Sequence, residues 1–308
     1  MDDLMLHSLA SGTRRGYNSS MKHWTTFTKI YNFDFIPSER TLPLFAAFLS
    51  TRVKHPNKIF SAMASYFKPF VKNWDEIRRT YSLEQVLTGA AKQPQTPTKR
   101  SPPLLPPHLV AFVEKALLPN ASFDDLLFAL ICALGFCGIM RLGDGLIEYD
   151  KKEDREWRKV IKRSSVVLEP HVKVQFFLPY HKGDRYYRGN HIILKPENSP
   201  SDFSIVDLFQ LYLRRRDALF PANDRLLIRK NGKPPLRSWV VPLIRKVAPG
   251  VSGHGLRAGG ATWLAMRGVP SDIIKRLGRW TSETWEVYIR DHPDLNAAIA
   301  RWILRTHA

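Results

Sequence analysis

The first ninety residues carry apolar side chains at intervals of three and four, which is the spacing of one face of an α-helix. Thr13 is a candidate N-cap for the first helix, Pro37 opens the second, and a third runs from Lys58 to Phe70. Residues 13–93 therefore predict a small helical bundle with a basic face. Such a face is usually only solvated, and contact with DNA is the alternative. The apolar positions are Tyr17, Met21, Trp24, Phe27 and Ile30, then Leu42, Leu44, Phe45, Phe48 and Leu49, then Ile59, Met63, Tyr66, Phe67 and Phe70.

A proline-rich stretch follows the bundle. Residues 94–108 read P-Q-T-P-T-K-R-S-P-P-L-L-P-P-H and contain six prolines. Proline cannot continue a helix and biases the residue before it towards extended structure. The stretch predicts a semi-rigid linker over residues 94–106, between one domain at 1–93 and a second at 107–308.

The second domain mixes the two periodicities. Helical segments surround a group of short stretches with alternation or β-branched residues, which predict strands. The pattern as a whole predicts a mainly α protein with a small antiparallel β-sheet, an α+β domain after an all-helical bundle. The predicted helices are Pro107–Leu118, Ser122–Gly135, Ser204–Leu219, Leu236–Val247 and Ser271–Leu277, and the predicted strands are Ser165–Leu168, Val172–Leu178 and Arg188–Leu194.

The C-terminal segment carries an apolar stripe at i, i+3, i+4, i+7 and i+8, typical of an amphipathic helix with a face to bury. The helix is predicted over residues 294–304. The stripe consists of Leu295, Ala298, Ile299, Trp302 and Ile303.

Composition narrows the class of protein. Hydrophobic residues make up 44% of the 308 and charged residues 24%, as in a soluble globular protein. The sequence contains no apolar run long enough to span a membrane and no secretory signal pattern. Cys132 and Cys137 lie in one apolar stretch without metal-ligand spacing, which predicts inert core thiols.

Charge points to the class of partner. The chain has 47 Lys and Arg against 28 Asp and Glu, a formal net charge of +19. The excess is spread over both predicted domains, as suits a polyanion such as DNA lying along both. A basic protein that binds RNA or an acidic partner nonspecifically would have the same charge.

Candidate chemistry is concentrated near the C-terminus. Cleaving DNA without a metal requires a nucleophile, cations that stabilise the charge on phosphate, and an acid for the leaving oxygen. His254 and Arg257 stand three apart behind a candidate serine cap, on one helix face. Trp280 offers an indole N–H donor, and Tyr288 is a candidate nucleophile. Taken singly, each has a simpler reading: a surface pair, a core tryptophan and a packing tyrosine.

Two glycines lie inside the same helix. Gly259 and Gly260 each cost about 1 kcal/mol relative to alanine in a helix interior. Close approach of another backbone is the usual compensation. They therefore predict tight packing behind the candidate site.

The ordered set resembles the active site of the tyrosine recombinase (phage-integrase) family. H-G-L-R-A-G-G-A-T-W-L-A followed by G-V-P-S-D-I-I-K-R-L-G-R-W is especially similar to recombinases of eukaryotic DIRS-like and Crypton mobile elements. The resemblance covers residues 107–292. It extends more loosely to T-R-R-G-Y-N-S-S-M-K-H-W and S-E-R-T-L-P-L-F-A-A-F-L-S, which look like that family's DNA-clamping core-binding domain.

The resemblance implies roles for the cationic residues. Arg141, at the end of an apolar helix, would be the first arginine on the scissile phosphate, and Arg257 the second. Asp144 would orient the site. Lys182, in a turn that looks like the family's β2–β3 hairpin, would protonate the departing 5′-oxygen. The same hairpin also holds His181, Arg185 and Arg188.

It implies roles for the remaining three. His254 would assist proton transfer, Trp280 would hold a non-bridging oxygen, and Tyr288 would attack phosphorus to give a 3′-phosphotyrosyl enzyme. Such a covalent link conserves the energy of the broken bond, so no ATP, metal or other cofactor is expected. Trp280 stands eight residues before Tyr288, one fewer than the spacing commonest in bacterial members.

The resemblance also implies partners. The helix at 294–304 would dock on a neighbouring protomer, giving a tetramer on two DNA sites, although docking on its own domain is an equal alternative. A recombinase of a eukaryotic element would work in the nucleus. The basic stretch 156–163, E-W-R-K-V-I-K-R, is a candidate for either an import signal or a DNA contact.

These expectations converge on site-specific DNA strand exchange, for integration or excision of a mobile element. Two rival functions remain. A type IB topoisomerase shares the phosphotyrosyl chemistry but relaxes supercoils. A domesticated, recombinase-derived protein would bind DNA without cutting it.

Overall fold

The computed structural model describes residues 11–53, 56–93, 101–184, 186–282 and 285–286. Residues of the chain contact one another mainly within two compact units, residues 1–99 and 100–308. The helices of the first unit are α1 Ser11–Tyr31, α2 Thr41–Ser50, α3 Pro56–Phe67, α4 Trp74–Ile77 and α5 Tyr81–Lys92. The helices of the second are α6 Pro106–Leu117, α7 Phe123–Cys137, α8 Ile205–Leu219, α9 Arg237–Val247, α10 Gly253–Met266 and α11 Ser271–Leu277, and its strands are β1 Val167–Glu169, β2 Lys173–Leu178 and β3 Asn190–Leu194.

An aromatic core holds the first unit together. Trp24 is fully buried, packs edge-on against Phe45 and Phe67, and donates its indole N–H to the Phe35 carbonyl at 2.9 Å. Burying such large rings supplies most of the stabilisation that a bundle of short helices needs. The helical bundle predicted from periodicity is confirmed.

Several positions expected on the apolar faces are exposed instead. Phe70 is 76% exposed because α3 ends at Phe67, so the helical spacing no longer applies to it. Ile30 lies in the last turn of α1 and is also exposed, as are Leu44 and Tyr66. The start of α2 is later than predicted because Ser38 and Thr41 bond each other's backbone N–H ahead of the helix.

The second unit is built around α7. Thirteen of its fifteen residues are buried, and it packs against α6, α8 and α10. Ser122 caps α7 by accepting from the Asp125 N–H, and Ser204 caps α8 in the same way. The helix Ser271–Leu277 has the bounds expected from sequence, and α9 accommodates Pro242 within its length.

The sheet has three antiparallel strands in the order β1-β2-β3. Alternate residues of β2 are buried, with Val174, Phe176 and Leu178 facing the core. Each strand begins one or two residues later than the sequence suggested, and β1 ends one residue later. The predicted fold class, mainly α with a small antiparallel sheet, is confirmed.

The segment 101–105, assigned to the linker from sequence, packs on the second unit. Leu104 is fully buried, and its N–H donates to the Gly255 carbonyl at 2.8 Å. The Ser101 hydroxyl donates to the Gly250 carbonyl and accepts from the Ser252 N–H. Proline content marks the absence of helix, but these contacts tie the segment to the start of α10.

Within the described residues, no helix combines the length and the apolar character that crossing a bilayer requires. The predicted helix over 294–304 lies outside the described residues, as does Tyr288.

Candidate active site

One wall of the site is the turn that ends α7. Gly138 is the helix C-cap and Ile139 follows with a left-handed backbone, φ 46°. The N–H of Met140 bonds the Gly135 carbonyl and that of Ile139 bonds the Phe136 carbonyl, which together form a Schellman motif. The chain then turns into Arg141, as expected for an arginine at the end of an apolar helix.

Asp144 is the acidic centre of the site. It is 1% exposed and accepts the Arg141 N–H at 3.1 Å. Its Oδ2 also lies 3.8 Å from the guanidinium of Arg141 and 3.8 Å from that of Arg257. A carboxylate placed between two guanidiniums can orient both.

Helix α10 forms the second wall. Ser252 accepts the His254 N–H as its N-cap. A Cβ at Gly260 would come within 2.0 Å of the Phe136 carbonyl oxygen, and one at Gly259 within 2.0 Å of the Leu104 carbonyl oxygen. The two glycines therefore let α10 touch the end of α7 and the segment 101–105, the close backbone approach that the sequence predicted.

Arg257 points inward from α10. It is 1% exposed and donates to the carbonyls of Ile139, at 3.1 Å, and Gly278. Its guanidinium stacks over the Trp280 ring, 4.0 Å from the ring centroid. It thus joins the turn after α7 to the corner after α11, beneath the surface of the site.

The third wall is the corner Gly278-Arg279-Trp280. The N–H of Trp280 bonds the Lys275 carbonyl and that of Arg279 bonds the Arg276 carbonyl, a second Schellman motif. Gly278 is its right-handed C-cap, and the left-handed residue, φ 56°, is Arg279. Glycine is needed at 278 because a Cβ there would lie 1.6 Å from the Trp280 ring.

Trp280 is 8% exposed and belongs to a small apolar cluster with Ile139, Ala261 and Ile274. Trp285 packs on the same cluster. The chain therefore stays beside this wall to within three residues of Tyr288.

Arg279 was not singled out by the sequence analysis. Its guanidinium donates to the carbonyls of Leu277, Gly138 and Ile139 at 2.8 to 3.2 Å. Burial, opposed by Asp144 and reinforced by the charge of Arg141, lowers its pKa to about 10, so it is charged at neutral pH. The available signal was spacing, because Arg279 stands nine residues before Tyr288.

The connection between β2 and β3 contributes Lys182 and His181. Lys182 is exposed, whereas His181 is 8% exposed and its Nδ1 accepts the Gly183 N–H at 3.2 Å. Desolvation lowers the pKa of His181, as does the charge of Arg279, while Asp144 and Asp184 oppose the shift. The hairpin is thus anchored by a neutral histidine beside the Asp144 cluster. Arg185 lies outside the described residues, and Arg188 is exposed.

His254 lies at the solvent-facing N-terminus of α10. Partial desolvation lowers its pKa, and the charges of Arg141, Arg237, Lys182 and Arg257 lower it further. The same electrostatics place Lys182 and Arg141 near one imidazole. Asp144 thus contacts Arg141 and Arg257, Arg257 stacks on Trp280, and the charges of Arg141, Arg257 and Lys182 act on His254. Within the described ranges, no group of three or more His, Cys, Asp or Glu side chains is placed to hold a metal ion.

The basic stretch 156–163 is folded. Val160 and Ile161 are buried, and the Leu226 N–H bonds the Ile161 carbonyl. Arg163 makes a two-pronged ion pair with Asp217. Lys159 and Arg158 both pair with Glu156.

No protein-family model and no curated protein matches this sequence. Solved structures resemble it in fold. A XerH site-specific recombinase bound to palindromic difH substrate has a TM-score of 0.60 and 19% identity over 94% of this chain and 79% of its own. A Tn1549 transposon integrase in complex with transposon right end DNA has a TM-score of 0.56 and 14% identity, covering 97% of this chain and 95% of its own.

A lambda integrase dimer bound to a COC′ core site is similar over 92% of this chain and 90% of its own, with a TM-score of 0.56 and 12% identity. At such identities the likeness concerns the fold. The likeness extends over both units of the chain. This mainly helical chain with its three-stranded antiparallel sheet has the fold of the tyrosine recombinases and integrases.

Proposed function

We propose that this protein is a site-specific DNA recombinase that cuts and rejoins DNA through a 3′-phosphotyrosyl intermediate. The observation that carries the proposal is the meeting of Arg141, Asp144 and Arg257 at one point, from segments over a hundred residues apart, on a recombinase fold. The ion pairs within the protein leave this cluster with cationic charge in excess, which suits a phosphodiester.

The cleavage step would proceed as follows. The Tyr288 oxygen attacks the scissile phosphorus and loses its proton, the P–O5′ bond breaks, and the 5′-oxygen takes up a proton. The product is a 3′-phosphotyrosyl link and a free 5′-hydroxyl. Attack of a 5′-hydroxyl on that link reverses the step and joins the strands, so the reaction is isoenergetic and consumes no cofactor.

Each polar side chain of the site has a separate role in the proposed cleavage step. Arg141, at 21% exposure, is accessible to a non-bridging oxygen, and Asp144 fixes its orientation. Lys182 is exposed on a short connection facing the same cluster, where it can protonate the leaving oxygen. His254 has a lowered pKa and is neutral at pH 7, so it can accept the tyrosine proton.

The buried state of Arg257 assigns it a supporting part in the DNA-free chain. Its contacts with the Ile139 and Gly278 carbonyls hold the two turns around Asp144. Direct contact of Arg257 with phosphate would require those bonds to be exchanged when DNA binds.

The proposal extends to the biological role, the cellular compartment and the assembly of the protein. The resemblance of the motifs around His254 and Trp280 to DIRS-like and Crypton recombinases is the basis for proposing integration or excision of a mobile element, in the nucleus. A lambda integrase has been solved as a tetramer bound to a Holliday junction, and assembly of this chain as a tetramer on two DNA sites is proposed by analogy. The helical bundle at 1–93 would clamp DNA, with the helix at 294–304 docking in trans.

Tyr288→Phe tests the proposal. In plasmid DNA with random single-strand nicks, cleavage close to a nick releases a short fragment that bears the new 5′-hydroxyl. Once this fragment diffuses away, the strands cannot be rejoined and the covalent adduct is trapped. The wild-type protein is expected to give an adduct that survives SDS and is removed by protease, and Tyr288→Phe is expected to give none while still binding DNA. Tyr81→Phe, in the exposed start of α5, is the matched control and should behave as wild type.

The rivals give different results. Relaxation of supercoiled plasmid without recombination between two sites would favour a type IB topoisomerase. DNA binding without any tyrosine-dependent adduct in the wild-type protein would refute the enzyme and leave a non-catalytic DNA-binding protein.

A further inference from the structure

We propose that Arg279, rather than Trp280, supplies the phosphate-binding side chain of the corner after α11. The inference rests on the proposed function and concerns which residue of the corner touches the scissile phosphate. It assigns a substrate contact to a residue that the sequence comparison passed over.

Trp280 is occupied as a packing residue. Its ring carries the guanidinium of Arg257 on one side and packs with Ile139, Ala261 and Ile274 in a closed apolar cluster. The absence of a Cβ at Gly278 is what makes room for this ring. Turning the indole out to a phosphate would expose that cluster and remove the support under Arg257.

Arg279 has a hydrogen-bond donor without an acceptor among the described residues. An arginine carries five N–H groups, and in Arg279 three of them bond the carbonyls of Leu277, Gly138 and Ile139. Its Nε–H is buried and has no hydrogen-bond partner among the described residues. A buried guanidinium with an unsatisfied donor is a costly arrangement in the free protein, and an anionic acceptor would relieve it.

The charges around Arg279 point to an anion. The neighbouring groups that perturb it are Asp144 and Arg141, and Asp144 already lies between Arg141 and Arg257. Three guanidiniums therefore share one carboxylate. His181, whose pKa is lowered chiefly by desolvation, carries no negative charge in either protonation state and cannot serve as a counter-ion. A phosphodiester oxygen is the ligand that would balance this cluster.

The backbone supports the same assignment. The left-handed position that follows a helix C-cap is usually glycine, yet here it is Arg279, with the glycine one residue earlier. The left-handed turn sends consecutive side chains in different directions, Trp280 into the apolar cluster and Arg279 towards the turn after α7. A residue kept in an unfavoured backbone conformation beside a cationic cluster is a functional candidate.

The cleavage site is first identified from the covalent adducts that the wild-type protein forms. The test then compares two substrates that contain this site. One is a nicked duplex with the natural scissile phosphate, and the other carries an uncharged methylphosphonate at that position. An arginine that neutralises a non-bridging oxygen is dispensable when that oxygen is replaced by methyl. Arg279→Gly suits the left-handed position, so it removes the guanidinium without new backbone strain.

Arg279→Gly is expected to slow cleavage of the phosphate about a hundredfold or more, and to cleave the methylphosphonate within about fivefold of wild type. Trp280→Phe keeps an aromatic ring under Arg257 and should reduce both reactions by the same small factor. Arg276→Ala removes an exposed positive charge from α11 and should leave both unchanged.

Should Arg279→Gly fail to fold, as judged by thermal unfolding, Arg279→Lys and Arg279→Gln replace it. Lysine keeps the charge and glutamine does not, so only glutamine should show the methylphosphonate-specific recovery. Equal losses on both substrates, or near wild-type cleavage of the phosphate without Arg279, would overturn the assignment. Wild-type protein that forms no adduct at all would overturn the proposed function and this inference with it.

Discussion

Arg279 donates from Nη2 to the main-chain oxygen of Ile139 at 2.8 Å, and both residues have a left-handed backbone. Each is the residue after the glycine C-cap of a helix, Ile139 after α7 and Arg279 after α11. Arg279 also donates to the Gly138 carbonyl, so two Schellman motifs are joined directly by hydrogen bonds. The left-handed conformation costs a residue with a Cβ roughly 1–2 kcal/mol, and more for a β-branched one such as Ile139.

The contacts between the turns offset that cost. Arg257 donates to the same Ile139 carbonyl, and Ile139 is buried in the cluster that contains Trp280. Arg141 follows one turn by two residues, and Tyr288 lies nine residues beyond the other. The paired turns are thus the segments from which the chain leads into Arg141 and, along the sequence, towards Tyr288.

Asp144→Asn tests the acidic centre. The change keeps an acceptor for the Arg141 N–H but removes the charge between two guanidiniums, one of them buried. We expect the free energy of unfolding to fall by about 3 kcal/mol, as measured by urea denaturation. Glu169→Gln, which breaks the exposed pair with Lys173 in the same unit, should cost less than about 1 kcal/mol. Equal effects of the two changes would contradict the central role of Asp144.

Gly260→Ala tests the close approach of α10 to α7. The new Cβ would meet the Phe136 carbonyl oxygen at 2.0 Å, and backbone cannot yield as a flexible side chain can. A loss of about 3 kcal/mol or more is expected in the same urea measurement. The control has the opposite sign: Gly89 lies in α5 with no atom near the new Cβ, so Gly89→Ala should stabilise by up to about 1 kcal/mol.

The pH dependence of cleavage tests His254. Partial desolvation and the neighbouring cations lower its pKa below the ordinary 6.5, so the neutral imidazole persists as the pH falls through that value. The acidic limb of the kcat/KM profile, which reports the free enzyme, is therefore expected below pH 6.5. His254→Gln should remove this limb, whereas His171→Gln, at an exposed pair with Asp207, should leave it in place. An acidic limb above pH 6.5 that His254 controls would show that the imidazole is not held neutral.

The two cysteines report unfolding of the second unit. Cys132 and Cys137 are buried in α7, and desolvation raises the pKa of both thiols. Because the thiolate is the reactive form, neither should react with a thiol reagent such as a disulfide dye in native buffer. Both should react in urea, in step with the loss of helical signal. Fast labelling of the native protein would mean that α7 opens locally.

Much of the local structure follows from residues that are close together in the chain. Serines before apolar runs gave the caps of α7, α8 and α10, because N-capping depends on neighbours in the chain. Ser271–Leu277 also has the predicted bounds, although no side chain caps its start. Burial of the cysteines and the close approach at Gly259 and Gly260 also followed from local composition. Tyr288 as nucleophile remains a prediction from the ordered motif.

Which side chains of that motif face one another depends on contacts between residues far apart in the chain. Periodicity does not reveal that Arg257 turns inward under Trp280, that Leu104 is buried against α10, or that Phe70 lies beyond the end of α3. The corner Gly278-Arg279-Trp280 is the clearest case. A single left-handed residue reverses the direction of the chain there, and what keeps that residue left-handed is a hydrogen bond to Ile139, 140 positions away in sequence. Side-chain direction at such a turn is set by long-range contacts, which no pattern along the chain encodes.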